Sequence, residues 1–141
     1  MRQSASVTIQ SSSEFARLRQ SEDPADQRRA THEDASVDVW RAVIADYPEL
    51  REWVAHNKQV SVEILWELAH DPSVRVRSSV AMKRKLDRRT FDLLAADPVE
   101  TVRCRIGCNP RVPADLAERL AEDPDAWVRG TVRERLGRRA S

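Results

Sequence analysis

The chain reads as an all-α protein of 141 residues built from a repeated helical unit, an α-solenoid. Three observations predict this. Asp-Pro recurs every 26 residues, at Asp71-Pro72, Asp97-Pro98 and Asp123-Pro124, with Leu68, Leu94 and Leu120 three positions before each Asp. Val-Arg recurs at the same period, at Val76-Arg77, Val102-Arg103 and Val128-Arg129, and Leu50-Arg51 fits one block earlier. Four residues beyond these lie Val80, Ile106, Val132 and Val54. Self-similarity at a fixed period of this length marks units that cannot bury an apolar face alone and do so by stacking. The blocks run 32–57, 58–83, 84–109 and 110–135, preceded by a degenerate cap over 13–31, so that 13–141 form a single helical-repeat domain.

The elements follow in order. Residues 1–12 are rich in Ser and Gln with few large apolar groups, the composition of a disordered tail. From Ser13, Phe15 and Leu18 suit a short helix; Asp23-Pro24 opens a second, to about Thr31, and Ser36 caps a third containing Val39, Trp40 and Val43. Within each block, Ser61, Asp87 and Pro113 start a first helix, because these residue types cap or begin helices. Its apolar stripe is Ile64, Leu65 and Leu68, then Thr90, Phe91 and Leu94, then Leu116, Ala117 and Leu120. Asp-Pro then ends that helix and opens the second, with Asp as cap and Pro at the first helical position, from about Pro72 to Lys83. Val76 and Val80, and their counterparts, point inward. Asn57-Lys58 and Asn109-Pro110 close the second helices, Asn tolerating the left-handed conformation. Strands are expected nowhere. The first junction departs from the pattern: Tyr47-Pro48 replaces Asp-Pro, as befits a capping unit.

Leu-Ala-x-Asp-Pro-x-x-x-Val-Arg, followed by Val-Ala or Ile-Gly and then Asn-Pro, resembles the leucine-rich repeat variant family among the HEAT-like helical repeats. The likeness is carried by Leu68–Ala81, Leu94–Pro110 and Leu120–Arg129, covers about two thirds of the chain, and fails over residues 1–45. It implies a right-handed superhelix of short helices and a binding role that differs from member to member, with no catalytic residue. Some relatives append a cysteine-ligated iron–sulfur module. That needs four ligands, and this chain has two cysteines, so no cluster is expected.

Charge and composition narrow the function classes. Lys and Arg number 24 against 23 Asp and Glu, a balance that argues against a dedicated nucleic-acid binder. The sign is uneven: residues 1–70 hold 8 basic and 12 acidic side chains, residues 71–141 hold 16 and 11. No run reaches the roughly 18 apolar residues a membrane span requires, and no apolar leader opens the chain. Cys104 and Cys108, four apart on a helix, rarely suit a disulfide, which fits a reduced, cytoplasmic chain of bacterial style. His32, His56 and His70 fall in different columns without a metal-ligand pattern, and three glycines make no phosphate loop. No metal, cofactor or reaction centre is expected.

The expected function is therefore protein binding by a non-enzymatic scaffold or adaptor, an immunity or regulatory partner among the possibilities. Residues that break their own column point to the contact face. Trp53 shares a column with Ser79, Arg105 and Thr131; Trp127 with Glu49, Arg75 and Thr101; Trp66 with Asp92 and Glu118. A large aromatic in a polar column suits an interface anchor better than a stacking role, since Trp is enriched among hot spots. Its competing role is to fold flat over a neighbouring helix. The second helices offer Glu49, Glu52, Trp53 and His56, then Arg75, Ser78, Ser79 and Met82, then Thr101, Cys104, Arg105 and Cys108, then Trp127, Gly130, Thr131 and Glu134. Of these, Trp53, Trp127, Trp66, Glu49, His56, Arg75, Met82 and Arg105 are the expected partner contacts. Because the step from Val43 to Leu68 is 25 rather than 26, Trp40 aligns with Leu65 and Phe91 and belongs to the core. Arg84, Lys85 and Arg88, in the densest basic run, could meet an acidic partner or phosphate. The Arg51, Arg77, Arg103 and Arg129 ladder has a structural reading, in which each side chain bonds loop carbonyls or the Asp of a neighbouring turn. The alternative is a nucleic-acid-binding HEAT-like protein, even a DNA glycosylase, since some HEAT-like glycosylases use Trp, Asp and Arg on a concave face; fold alone does not transfer that function.

Overall fold

Short helices joined by tight turns make up nearly all of the structure, a computed structural model that describes residues 8–140. In order these are α1 (Ser12–Gln20), α2 (Pro24–His32), α3 (Val37–Asp46), a 3-10 turn at Pro48–Leu50, α4 (Arg51–His56), α5 (Val62–Leu68), α6 (Val74–Ala81), α7 (Arg88–Ala95), α8 (Glu100–Gly107), α9 (Ala114–Leu120) and α10 (Ala126–Ala140). The chain divides into two compact units, one ending at Leu65 and one beginning at Trp66.

In the first unit the expectation of no strands is corrected. Thr8–Ile9 (β1) pairs in parallel with Asp34–Ala35 (β2), Thr8 opposite Asp34 and Ile9 opposite Ala35. Of the segment 1–12 expected to be an unstructured tail, residues 1–7 lie outside the described residues. Residues 8–12 enter the fold: Ile9 is buried and Ser11 caps α1 by accepting from Glu14 N. Burial of one large aliphatic side chain, about 2 kcal/mol, anchors a segment whose polar composition predicts none of this. Asp23 caps α2 and Ser36 caps α3 through their side chains. The core joins Ile9, Phe15, Leu18, Trp40, Val43 and Val54, with Trp40 edge-on to Phe15 at a centroid distance of 5.1 Å.

The second unit buries the stripes that helical spacing predicts: Leu68, Val76 and Val80, then Phe91, Leu94, Val102 and Ile106, then Leu116, Leu120, Val128 and Val132. Helix α8 packs against α6, α7, α9 and α10. Gly107 sits where α8 meets α10; a Cβ there would lie 2.7 Å from Val132 Cγ2, so only glycine allows this approach.

Two turn assignments need correction. The second helices begin at Val74, Glu100 and Ala126, two residues beyond Asp-Pro, so Asp is not their cap and Pro is not their first residue. Ser73 caps α6. The Asp71, Asp97 and Asp123 carboxylates instead accept the N–H two residues ahead, from Ser73, Val99 and Asp125, forming closed turns in which each Asp is buried. Nor does Asn supply left-handed backbone, since no described residue has a positive φ. Asn109 works through its side chain: Nδ2 donates to Ala81 O and Lys83 O at 2.8 and 2.7 Å, and Oδ1 accepts from Arg111 N. Asn57 does the same with Ala30 O, Glu33 O and Gln59 N. Each amide thereby satisfies carbonyls left open near the end of an earlier helix.

Candidate interaction face

The second unit holds two copies of one ionic clamp. Arg77 Nε donates to Asp97 Oδ2 at 2.7 Å while its Nη1 reaches Asp71 O and Pro72 O; Arg103 Nε donates to Asp123 Oδ2 at 2.8 Å while its Nη1 reaches Asp97 O. Both pairs are largely buried, with side-chain exposures of 12% and 5%, and 15% and 4%. Burial alone would raise the Asp123 carboxyl, but the bonds from Arg103 and Asp125 N–H outweigh it and hold the group below the ordinary carboxylate range. Arg129 makes the carbonyl half of the clamp, to Asp123 O and Pro124 O, and Arg51 donates to Ile44 O. Committed to turns in this way, the ladder offers little to a ligand.

The basic run is partly consumed as well. Arg88 is held between Asp92 and Asp115, at 2.8 and 2.6 Å, and Arg89 pairs with Asp87 while its guanidinium lies 4.5 Å from the Trp66 ring centre. Arg84 and Lys85 are exposed.

The three off-pattern tryptophans have different surroundings. Trp66 is half-buried, with His70 edge-on at 4.5 Å and Arg89 over its face. Trp53 is 39% exposed and carries the Arg19 guanidinium stacked 3.6 Å from its ring centre, with His56 edge-on at 5.4 Å. Arg19 also bonds Gln27, whose amide in turn reaches the Ser21 carbonyl, while its own Nε is buried with no hydrogen-bond partner. Nothing local in the sequence links Arg19 to Trp53, and this partner was missed. Glu49 and His56 are exposed nearby in the chain, His56 lying 3.9 Å from Glu52.

Trp127 has no such cover. It is 54% exposed and forms one wall of a cleft of about 250 Å³ between α8 and α10, completed by Thr101, Cys104, Arg105 and Cys108. Met82, 58% exposed, adjoins it: Arg105 Nη1 lies 3.1 Å from its sulfur. Arg75 is exposed on α6. Cys104 is buried and Cys108 half-buried, both free thiols; burial first, then the neighbouring Cys108, pushes the Cys104 thiol up, so it resists ionisation. Thus the structure brings Met82, Arg105 and Trp127 together around one cleft, and that cleft contains no nucleophile–base pair. Among the described residues no three His, Cys, Asp or Glu side chains are grouped to hold a metal ion, and no helix is long and apolar enough to cross a membrane.

Comparison of the chain with protein-family models, with curated proteins and with solved structures finds no match. The likeness to leucine-rich repeat variants rests on the motifs of the chain itself.

Proposed function

We propose that this chain is a non-enzymatic helical-repeat scaffold of the solenoid type, which binds another protein through the exposed face of its second helices. One observation carries the reading. Two of the three tryptophans that break polar columns, Trp53 and Trp127, are exposed, as is Met82, whereas the third, Trp66, is half-buried and the residues that repeat are core or clamp. Folding alone gives no reason to place Trp127 and Met82 in solvent, and aromatic and Met side chains on a surface are typical of interface cores. Two free thiols, one buried, suit a reducing compartment, and the reading carries a cytoplasmic setting with it.

The test is affinity isolation from native cells with the wild type and with the Trp127→Ala, Met82→Ala double variant. A discrete protein retained by the first and lost with the second is expected. Equal recovery by both, or none by the wild type, would sink the assignment. Submicromolar, structure-specific nucleic-acid binding at physiological salt would replace it with the nucleic-acid reading, with Arg84 and Lys85 the first contacts to examine.

A further inference from the structure

The cleft between α8 and α10 has a chemistry of its own. Of its two distinguishing side chains, Trp127 departs from its column, standing where other blocks have Glu49, Arg75 and Thr101, and Arg105 is the charged member of a column that varies between Trp53, Ser79 and Thr131. The small residues that remain, Thr101, Cys104 and Cys108, leave the floor between them open. At about 250 Å³ the cleft falls below the range typical of small-molecule sites, and its size suits one large side chain of a partner. Its rim is cationic. Arg105 is exposed, makes no ion pair among the described residues, and directs Nη1 to the Met82 sulfur; no carboxylate lines the cleft. Glu134, the carboxylate on the same face of α10, is paired with Arg138 at 3.4 Å.

Resting on the protein-binding reading, we propose that this cleft receives an acidic segment of a partner protein: one large apolar side chain seated between Trp127 and Cys108, with an Asp or Glu within one helical turn of it meeting Arg105. Charge complementarity selects that occupant. A basic segment would place its cations against Arg105, at a cost that grows as the contact is desolvated. The excess of basic side chains over residues 71–141 favours the same partner during approach. Trp127 and Met82 supply the apolar contact, Arg105 the orientation.

A displayed library of random 16-residue peptides, selected against the full chain with its thiols reduced, tests this. Enriched peptides should combine Trp, Phe, Leu or Met with a nearby Asp or Glu. Their binding should fall roughly thirtyfold with Trp127→Ala, the scale of a lost hot-spot aromatic. Arg105→Glu should abolish it while Arg105→Lys largely preserves it. Thr101→Phe, which fills the cleft without removing an anchor, should block it, with thermal melts confirming that each variant is folded. Enriched peptides that are basic or uncharged, or that bind Trp127→Ala and Arg105→Glu as well as the wild type, would overturn the proposal and leave the scaffold reading standing. No enrichment anywhere on the chain would overturn both.

Discussion

Trp53 in the first unit and Trp127 in the second break their columns alike, yet the protein treats them differently. Trp53 lies under the Arg19 guanidinium, so its ring already serves as an internal platform for a cation. Trp127 faces a cleft that no side chain fills. An aromatic out of register with its repeat is therefore not by itself a binding residue. What separates the two is whether another part of the chain has already claimed the ring, and that depends on a contact between residues 34 positions apart in sequence.

The same contrast between claimed and unclaimed groups orders the expected mutational effects. The largest belongs to the buried clamp. Asp123→Ala leaves the Arg103 guanidinium largely buried without its carboxylate and should cost about 3–5 kcal/mol, measured by denaturant unfolding. The pH dependence has a definite sign. The folded Asp123 carboxyl is held below its ordinary value, so its stabilisation is complete above the unfolded value, about 3.9, and disappears as pH falls through the folded value. The stability gap between wild type and Asp123→Asn should accordingly narrow below about pH 4. A gap independent of pH would mean that Asp123 acts by packing alone.

In the first unit, Ile9→Ala should cost about 2–5 kcal/mol, since the side chain is fully buried. An unchanged midpoint would restore the reading of residues 8–12 as a dispensable tail. Gly107→Ala comes next. Alanine gains about 1 kcal/mol of helix propensity, but its Cβ would overlap Val132 Cγ2, and Val132 is itself buried and cannot swing away. Overpacking costs about 1–3 kcal/mol, so the net loss should be about 1 kcal/mol. A stabilised variant would show that α8 and α10 can part at little cost.

How much of this was legible follows from the range of each interaction. Apolar stripes are local and periodic, so Leu68, Leu94, Leu120 and the inward valines were readable, as were the caps at Ser36 and Asp87. The pairing of Arg77 with Asp97 also matches the expected bonding of the Arg ladder to loop carbonyls or the Asp of a neighbouring turn, although the cap role given to Asp does not hold. The true work of Asn109 was not legible: its type and position stand out, but it answers to Ala81, one block away, and local capping rules assign it a neighbour instead. The strand pair was hidden for the same reason: Val7-Thr8-Ile9 is a very short β-branched run in a Ser- and Gln-rich stretch, and Ala35, the partner of Ile9, is distant in sequence. On the candidate face the sequence marked Trp127 by its departure from pattern and Arg105 and Met82 by their place on the variable face of the second helices, yet could not distinguish Trp53, over which Arg19 stacks, from the open Trp127.

The smallest effects test that distinction directly. Trp53→Ala removes the surface on which Arg19 stacks, and Arg19 already has a buried Nε without a hydrogen-bond partner. A cation–π contact of this partly buried kind is worth about 0.5–2 kcal/mol, and the loss should appear as a melting temperature lowered by several degrees. Trp127→Ala removes a side chain more than half exposed, whose backbone N–H, not its ring, serves the local turn by donating to Asp125. Its stability should stay within about 0.5 kcal/mol of wild type, the range of ordinary surface substitutions. Thermal unfolding of the two single variants side by side reads the difference. If both destabilise equally, the ring of Trp127 is already claimed by the fold, and the cleft it walls is packing rather than a place for a partner.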